Sequence, residues 1–238
     1  MITVVAFMGW LTDDDYFIIS AAPNQEATYL TPETKDDADM SLTPSASNPS
    51  GEKGATIGKD GFYRFTETPR MALKTNLLYD LTTTPNLAAE FRLGRKVTLD
   101  LSFNLNPWTY DKAENTKFKF FLFQPEFRFW ACEAFNGHFF GLHGHYAYFN
   151  VSHLPNPPFS ETMNQYRFEG QLAGAGVSYG FNWIINPRWG MEFEIGAGFV
   201  RLWYDRYPCA DCAKAFESET KDYWGVTRIG LSFIYYIF

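Results

Sequence analysis

No run of about 18 or more apolar residues occurs anywhere in the chain, so it cannot cross a bilayer as an ordinary transmembrane helix. Cysteine is scarce, at three, which leaves room for one disulfide at most. Blocks of Lys and Arg are missing and the formal net charge is −7, a balance that argues against a nucleic-acid partner. The first residues lack a clear export signal. Met1 to Leu11 is apolar, but no Lys or Arg precedes it and Asp13, Asp14 and Asp15 interrupt it. Residues 1–22 therefore read as a degenerate or truncated leader. What remains for the rest is a soluble β protein or a closed barrel.

Aromatics, by contrast, are abundant. The 238 residues include 24 Phe, 14 Tyr and 7 Trp, a composition that favours strands. From Asn24 to about Arg70 the chain is rich in Thr, Pro, Ser, Gly, Asp and Lys and cannot bury enough surface to order itself, so 23–70 reads as a flexible polar linker. A short strand around Phe62 to Phe65 is the exception considered. From Met71 to Phe238 the pattern is period two throughout. The clearest case sets Val97, Leu99, Leu101, Phe103 and Leu105 against Thr98, Asp100, Ser102, Asn104 and Asn106.

The stretch Phe118 to Asn150 reads as a hairpin turning at Asn136 and Gly137, a dipeptide that tolerates positive φ. Its arms, of about 12 residues, are long enough to cross a bilayer at a tilt. Pro125 removes a ladder bond, and a bulge is expected there. In the strand spanning Tyr166 to Ile184, polar Glu169 and Gln171 share a parity with apolar Val177, Tyr179 and Phe181, so a bulge within Gly170 to Gly176 is expected to switch the faces. The last strand sets Thr227, Ile229, Leu231, Phe233 and Tyr235 against Arg228, Gly230 and Ser232. Eight strands result, the first covering Met71 to Asp80.

Short links (Gly94 to Lys96, Cys132 to His138, Ile185 to Arg188) alternate with long ones (Thr109 to Lys117, Ser152 to Gln165, Tyr207 to Asp222), the pattern of an outer-membrane barrel with both termini on the periplasmic side. Only the link Thr82 to Asn86 is short on the long side. A lipocalin-like soluble barrel has the same period with its apolar face inward. Three features favour the membrane. Trp108, Trp130, Trp183, Trp189, Trp203 and Trp224 lie near strand ends, where aromatic girdles form. Gly141, Gly196, Gly198 and Gly230 on the polar face leave room for charged neighbours. The chain closes with IYYIF on Phe238, similar to the terminal signal by which insertion machinery recognises outer-membrane barrels. The fold expected is thus all-β: an eight-stranded antiparallel up-and-down transmembrane β-barrel over 71–238, in the outer membrane of a Gram-negative bacterium.

ALKTNLLYD, TTTPN, QPEFRFW, GHFFGLHGHYAYFN, EGQLAGAGVSYGF and the terminal strand resemble, in order, an outer-membrane barrel family of the Bacteroidetes known only as a domain of unknown function. The resemblance carries no activity or cofactor. It implies a possible link to fimbrial or surface proteins, because genes of that family often lie near fimbrial ones.

Lys74, Glu90, Arg92, Asp100, Glu126, Arg128, Glu192, Glu194 and Arg228 share the polar face and are expected to pair inside a side-chain-filled lumen. His143 and His145 project to one face with Glu126 in reach, a pair that suits a metal or acid–base chemistry, yet no third ligand stands at a fixed spacing. Cys209 and Cys212, in CADC, are expected to form a small disulfide in an outer loop, and Cys132 to be a free thiol. No catalytic set assembles. The function expected is a non-enzymatic anchor or adhesin-like barrel acting through its long loops and embedded in outer-membrane lipid. The alternatives are a lipid-modifying barrel enzyme or narrow channel, and a soluble binding barrel.

Overall fold

The computed structural model of the chain describes residues 55–57, 63–111, 116–153, 166–208 and 217–238. The expected leader and the Cys209 and Cys212 pair lie outside the described residues, as does most of the expected linker. Two short strands, β1 (Ala55–Ile57) and β2 (Tyr63–Phe65), pair antiparallel. There follow β3 (Met71–Asn76), a one-turn helix α1 (Leu77–Asp80), β4 (Asn86–Arg92), β5 (Val97–Asn106), β6 (Thr109–Asp111), β7 (Thr116–Trp130), β8 (Gly137–Ser152), β9 (Arg167–Ile184), β10 (Trp189–Tyr207) and β11 (Glu217–Ile237). The sheet runs β5-β4-β3-β11-β10-β9-β8-β7-β6, and β5 also pairs with β7. That last pairing closes the antiparallel sheet into a ring, which leaves only short edges exposed.

The wall is uneven. β9, β10 and β11 have 18, 19 and 21 residues, whereas β3 and β4 have 6 and 7. The strand expected to continue to Asp80 instead stops at Asn76, whose side-chain Oδ1 accepts from Leu78 N at 3.1 Å and starts α1. Tyr79 is thereby turned into the interior, where it is 4% exposed. The chain then reverses through Thr83, held at φ 53, and the Trp108 indole donates to the Thr83 carbonyl at 2.7 Å.

Along each long strand the two faces change character together. Near the short turns the outward positions are apolar: Phe127 and Phe129 on β7, Phe140 and Leu142 on β8, Val177 and Trp183 on β9, Phe193 and Ile195 on β10. The inward positions opposite are charged on β7 and β10, at Glu126, Arg128, Glu192 and Glu194, and small or polar on β8 and β9, at Gly141, His143, Ser178 and Asn182. Toward the long loops the outward positions become Lys119, Asn150, Glu169, Gln171 and Asp222, while Phe118, Phe120, Phe149, Phe168, Val200, Leu202 and Tyr204 fill the interior. One hydrophobic core cluster thus fills the long-loop end of the ring.

This exchange replaces the bulge expected in β9. Phe168, Gly170, Leu172, Gly174, Gly176, Ser178, Gly180 and Asn182 form one continuous inward row, and the register with both neighbours runs unbroken from Arg167 to Asn182. The face does not switch; its surroundings do. Pro125 does not bulge either. The β7–β8 register is the same on both sides of it, and only the pairs at Gln124 and Pro125 drop out of the ladder. The bulge falls in β11 instead, between Val226 and Arg228.

The short-turn end is closed by aromatics. Trp130, Phe135, Phe139, Ile234 and Tyr236 form a second buried cluster, and Phe65 of β2 packs edge-on against Tyr236 with ring centroids 4.8 Å apart. Phe135 is fully buried at φ 65. A bulky residue seldom holds that backbone conformation, and the burial of its ring in the cluster offsets the strain. The hairpin turn therefore begins before Asn136, with Gly137 at φ 77 completing it.

Candidate functional site

Between the aromatic base and the apolar core lies a layer of ions. β3, β4, β5, β7, β10 and β11 each present inward side chains to it, because period-two projection brings Lys74, Glu90, Asp100, Glu126, Arg128, Glu192, Glu194 and Arg228 into one interior. Arg128, with 0% exposure, is the hub. Its Nε donates to Glu126 Oε1 at 2.7 Å, its Nη2 to Glu194 Oε2 at 2.8 Å, and its Nη1 to Glu90 Oε2 at 2.9 Å and Glu192 Oε2 at 3.0 Å. The guanidinium also lies 4.4 Å from the Phe139 ring centroid, so the aromatic base seats the hub.

Lys74 Nζ pairs with Glu90, with Glu192 at 3.1 Å and with Asp100 at 3.2 Å. Arg228 Nη2 reaches Asp100 at 3.0 Å, and its Nε reaches Glu194 at 2.8 Å and Glu126 at 3.3 Å. Charges taken out of water cost several kcal/mol each unless paired, and here every carboxylate touches at least one cation. Fully ionised, five carboxylates face three cations, so the lattice carries an excess of negative charge. Arg92, expected in this set, is absent from it. It stands exposed at the end of β4, where its N–H donates to the Arg70 carbonyl.

His143 and His145 do point inward, 1% and 4% exposed, with ring centroids 5.7 Å apart. His143 Nε2 lies 2.8 Å from Thr227 Oγ1, and its Nδ1 lies 3.8 Å from Glu126 Oε2. Space for this ring comes from two glycines. A methyl group on Gly176 would meet His143 Nε2 at 2.8 Å, and one on Gly196 would meet His143 Cε1 at 2.9 Å. Among the described residues no group of three or more His, Cys, Asp or Glu side chains is arranged to hold a metal ion.

Thr227 is the functional neighbour that period-two reading misplaces. Expected outward with Ile229, it is the extra residue of the β11 bulge and faces inward, 0% exposed, beside Arg228. A signal for it exists: outward Trp224 and Val226 are even-numbered, whereas outward Ile229, Leu231 and Phe233 are odd. Thr98 was also missed; its hydroxyl donates to Glu90 and accepts from the Trp130 indole at 2.9 Å. Trp130 is consequently an interior residue, 3% exposed, and not part of an outer girdle. Its parity, shared with Arg128, already placed it there. Trp108, Trp183, Trp189, Trp203 and Trp224 are all exposed on the outside, Trp183 and Trp189 at the short-turn end.

A cavity of about 20 Å³ borders the lattice, lined among others by Lys74, Asn76, Asp100, Arg128, Glu192 and Arg228. Such a volume holds about one water molecule. Among the described residues the lattice can therefore hold strands together, and both Glu126 and His143 are enclosed within it, at 0% and 1% exposure. Cys132 is an exposed free thiol at the β7–β8 turn.

No curated protein and no solved structure matches this chain. One family model does, across residues 61–237, so the match begins beside β2 and takes in the whole closed sheet. By that match the chain belongs to the family described as protein of unknown function (DUF3575).

Proposed function

We propose that this protein is an integral outer-membrane β-barrel of eight main strands, with a side-chain-filled lumen and no enzymatic activity, that serves as an anchor or adhesin-like scaffold. The observation that carries the reading is the exchange of polarity along the strands. Toward the short turns the outside is apolar and the inside holds the ions of β7 and β10, which suits hydrocarbon around the wall; toward the long loops Lys119, Glu169, Gln171 and Asp222 face outward and the inside is apolar, which suits water. On β7 the apolar outward band runs from Phe121 to Phe129. Eight steps of about 3.3 Å at a tilt of about 40° rise about 20 Å, near the height of an outer-membrane apolar belt.

A soluble lipocalin-like barrel would have its apolar face inside along its full length, and the buried ions oppose that. The filled lumen opposes a channel, and the enclosure of His143 and Glu126 opposes a lipid-modifying centre there. The long-loop end, where β10 and β11 extend beyond the belt, is the contact surface for a fimbrial or other surface protein. Insertion machinery would read the terminal strand, where Tyr235 and Ile237 present their side chains outward and Phe238 packs edge-on against Phe65.

Migration of the outer-membrane fraction on a gel, boiled against unboiled, tests the reading. A heat-dependent shift is expected. A protein that fractionates as soluble and shows no shift overturns it.

A further inference from the structure

We infer that the arginine-rich rim at the short-turn end is a binding site for the phosphate groups of anionic membrane phospholipid. The inference rests on the membrane-barrel reading and adds a ligand to it. Arg64, Arg70, Arg92, Arg95, Lys96 and Arg188 are all exposed there, against Glu67 and Glu133. Backbone bonds fix them to one end: Arg70 N to Ile237 O, Arg92 N to Arg70 O, Ala134 N to Arg95 O, Trp130 N to Lys96 O and Tyr236 N to Arg188 O. In a chain with net charge −7 this is a local reversal of sign.

The other end differs. There cations sit beside acids, as in Arg201 with Asp222 at 2.6 Å and Arg206 with Glu217 at 2.7 Å. At the rim, Arg70, Arg92 and Arg95 make no ion pair among the described residues, and Glu133 Oε1 already accepts from Thr68 Oγ1 at 2.9 Å. Arg92, Leu93, Gly94, Arg95 and Glu133 line an open groove of about 420 Å³. Leu93 is 58% exposed and continues the outward apolar row of Leu87 and Phe91. Guanidinium forks over an apolar wall fit an amphiphile whose phosphodiester lies at the rim and whose chains run up the belt. Arginine binds phosphate with two parallel hydrogen bonds, which lysine cannot do.

Native mass spectrometry of the full chain, released from micelles containing equal phosphatidylglycerol and phosphatidylcholine, tests this. Wild type is expected to retain phosphatidylglycerol about fivefold or more over phosphatidylcholine. The double variant R92Q/R95Q is expected to lose the preference, and R92K/R95K to keep only part of it. Equal retention of the two lipids by wild type, or an undiminished preference in R92Q/R95Q, overturns the proposal. Displacement of the lipid by soluble glycerol phosphate overturns the lipid as ligand in favour of a soluble phosphate. A heat-dependent gel shift measured on each variant separates loss of the site from loss of the barrel: a shift with no lipid preference rejects this inference alone.

Discussion

The side chain of Asn86 stands in for a strand residue opposite Asn76. Asn86 Oδ1 accepts from the Asn76 backbone N–H at 2.6 Å, and Asn86 Nδ2 donates to the Asn76 carbonyl at 3.3 Å and to Asp80 at 2.7 Å. Asn76 repeats the device toward β11, its Nδ2 donating to the Ile229 carbonyl and its Oδ1 accepting from Leu231 N. Two side-chain amides thus finish the ladders where β3 and β4 part and α1 turns inward.

Asn86→Ala should cost about 2 kcal/mol, because two backbone groups at Asn76 lose partners. Denaturant unfolding in detergent should register the loss, and hydrogen exchange should rise first across residues 77–85. Uniform exchange across the chain would count against a local role.

In the lattice the sign of the removed charge should decide the outcome. Arg128→Met strips a partner from five carboxylates and should destabilise by about 3–5 kcal/mol. Glu126→Gln relieves part of the negative excess and should cost far less. The temperature at which the unboiled band disappears is the readout, and equal losses for the two variants would contradict the charge count.

Position along the strand should set the penalty for an outward charge. Ile195→Arg, within the apolar belt of β10, should cost about 2–4 kcal/mol, whereas Gln171→Arg, in the polar outward stretch of β9, should cost about 0–1. Refolding titrations into lipid vesicles measure both. Equal costs would remove the belt from between these positions.

Deleting Thr227 removes the β11 bulge. Val226 and Arg228, already paired with the adjacent residues Ala197 and Gly196, then become neighbours in a regular ladder, with Trp224 and Val226 still outward and Arg228 still inward. Heat-modifiable protein is expected from the deletion and from Thr227→Ser alike, the deletion losing the hydroxyl beside His143. A deletion variant that gives no heat-modifiable band would show that the fold requires the bulge.

The ionic interior was legible because period two assigns faces without knowledge of partners: Lys74, Glu90, Asp100, Glu126, Arg128, Glu192, Glu194 and Arg228 all meet where their parity sends them. Arg92 shares that parity and fails, since it lies past the last interior layer, and parity says nothing about height. Trp130 departs from the girdle for the opposite reason: it lies near a strand end, but its parity, shared with Arg128, turns it inward. The β9 bulge was inferred from the premise that one face keeps one polarity, whereas Glu169 and Val177 face the same way into different surroundings.

Alternation, turn chemistry and the spacing of long and short links are local properties, and the sequence by itself determined from them that the chain is all-β, which positions face inward and that charges meet inside. Tertiary structure alone decided where the faces exchange polarity, where the bulge sits, that β3 stops at Asn76, and that Phe65 and Trp130 close the base. Each of these depends on contacts between residues far apart in the chain, and on what lies outside the wall at a given height, neither of which a two-residue period encodes.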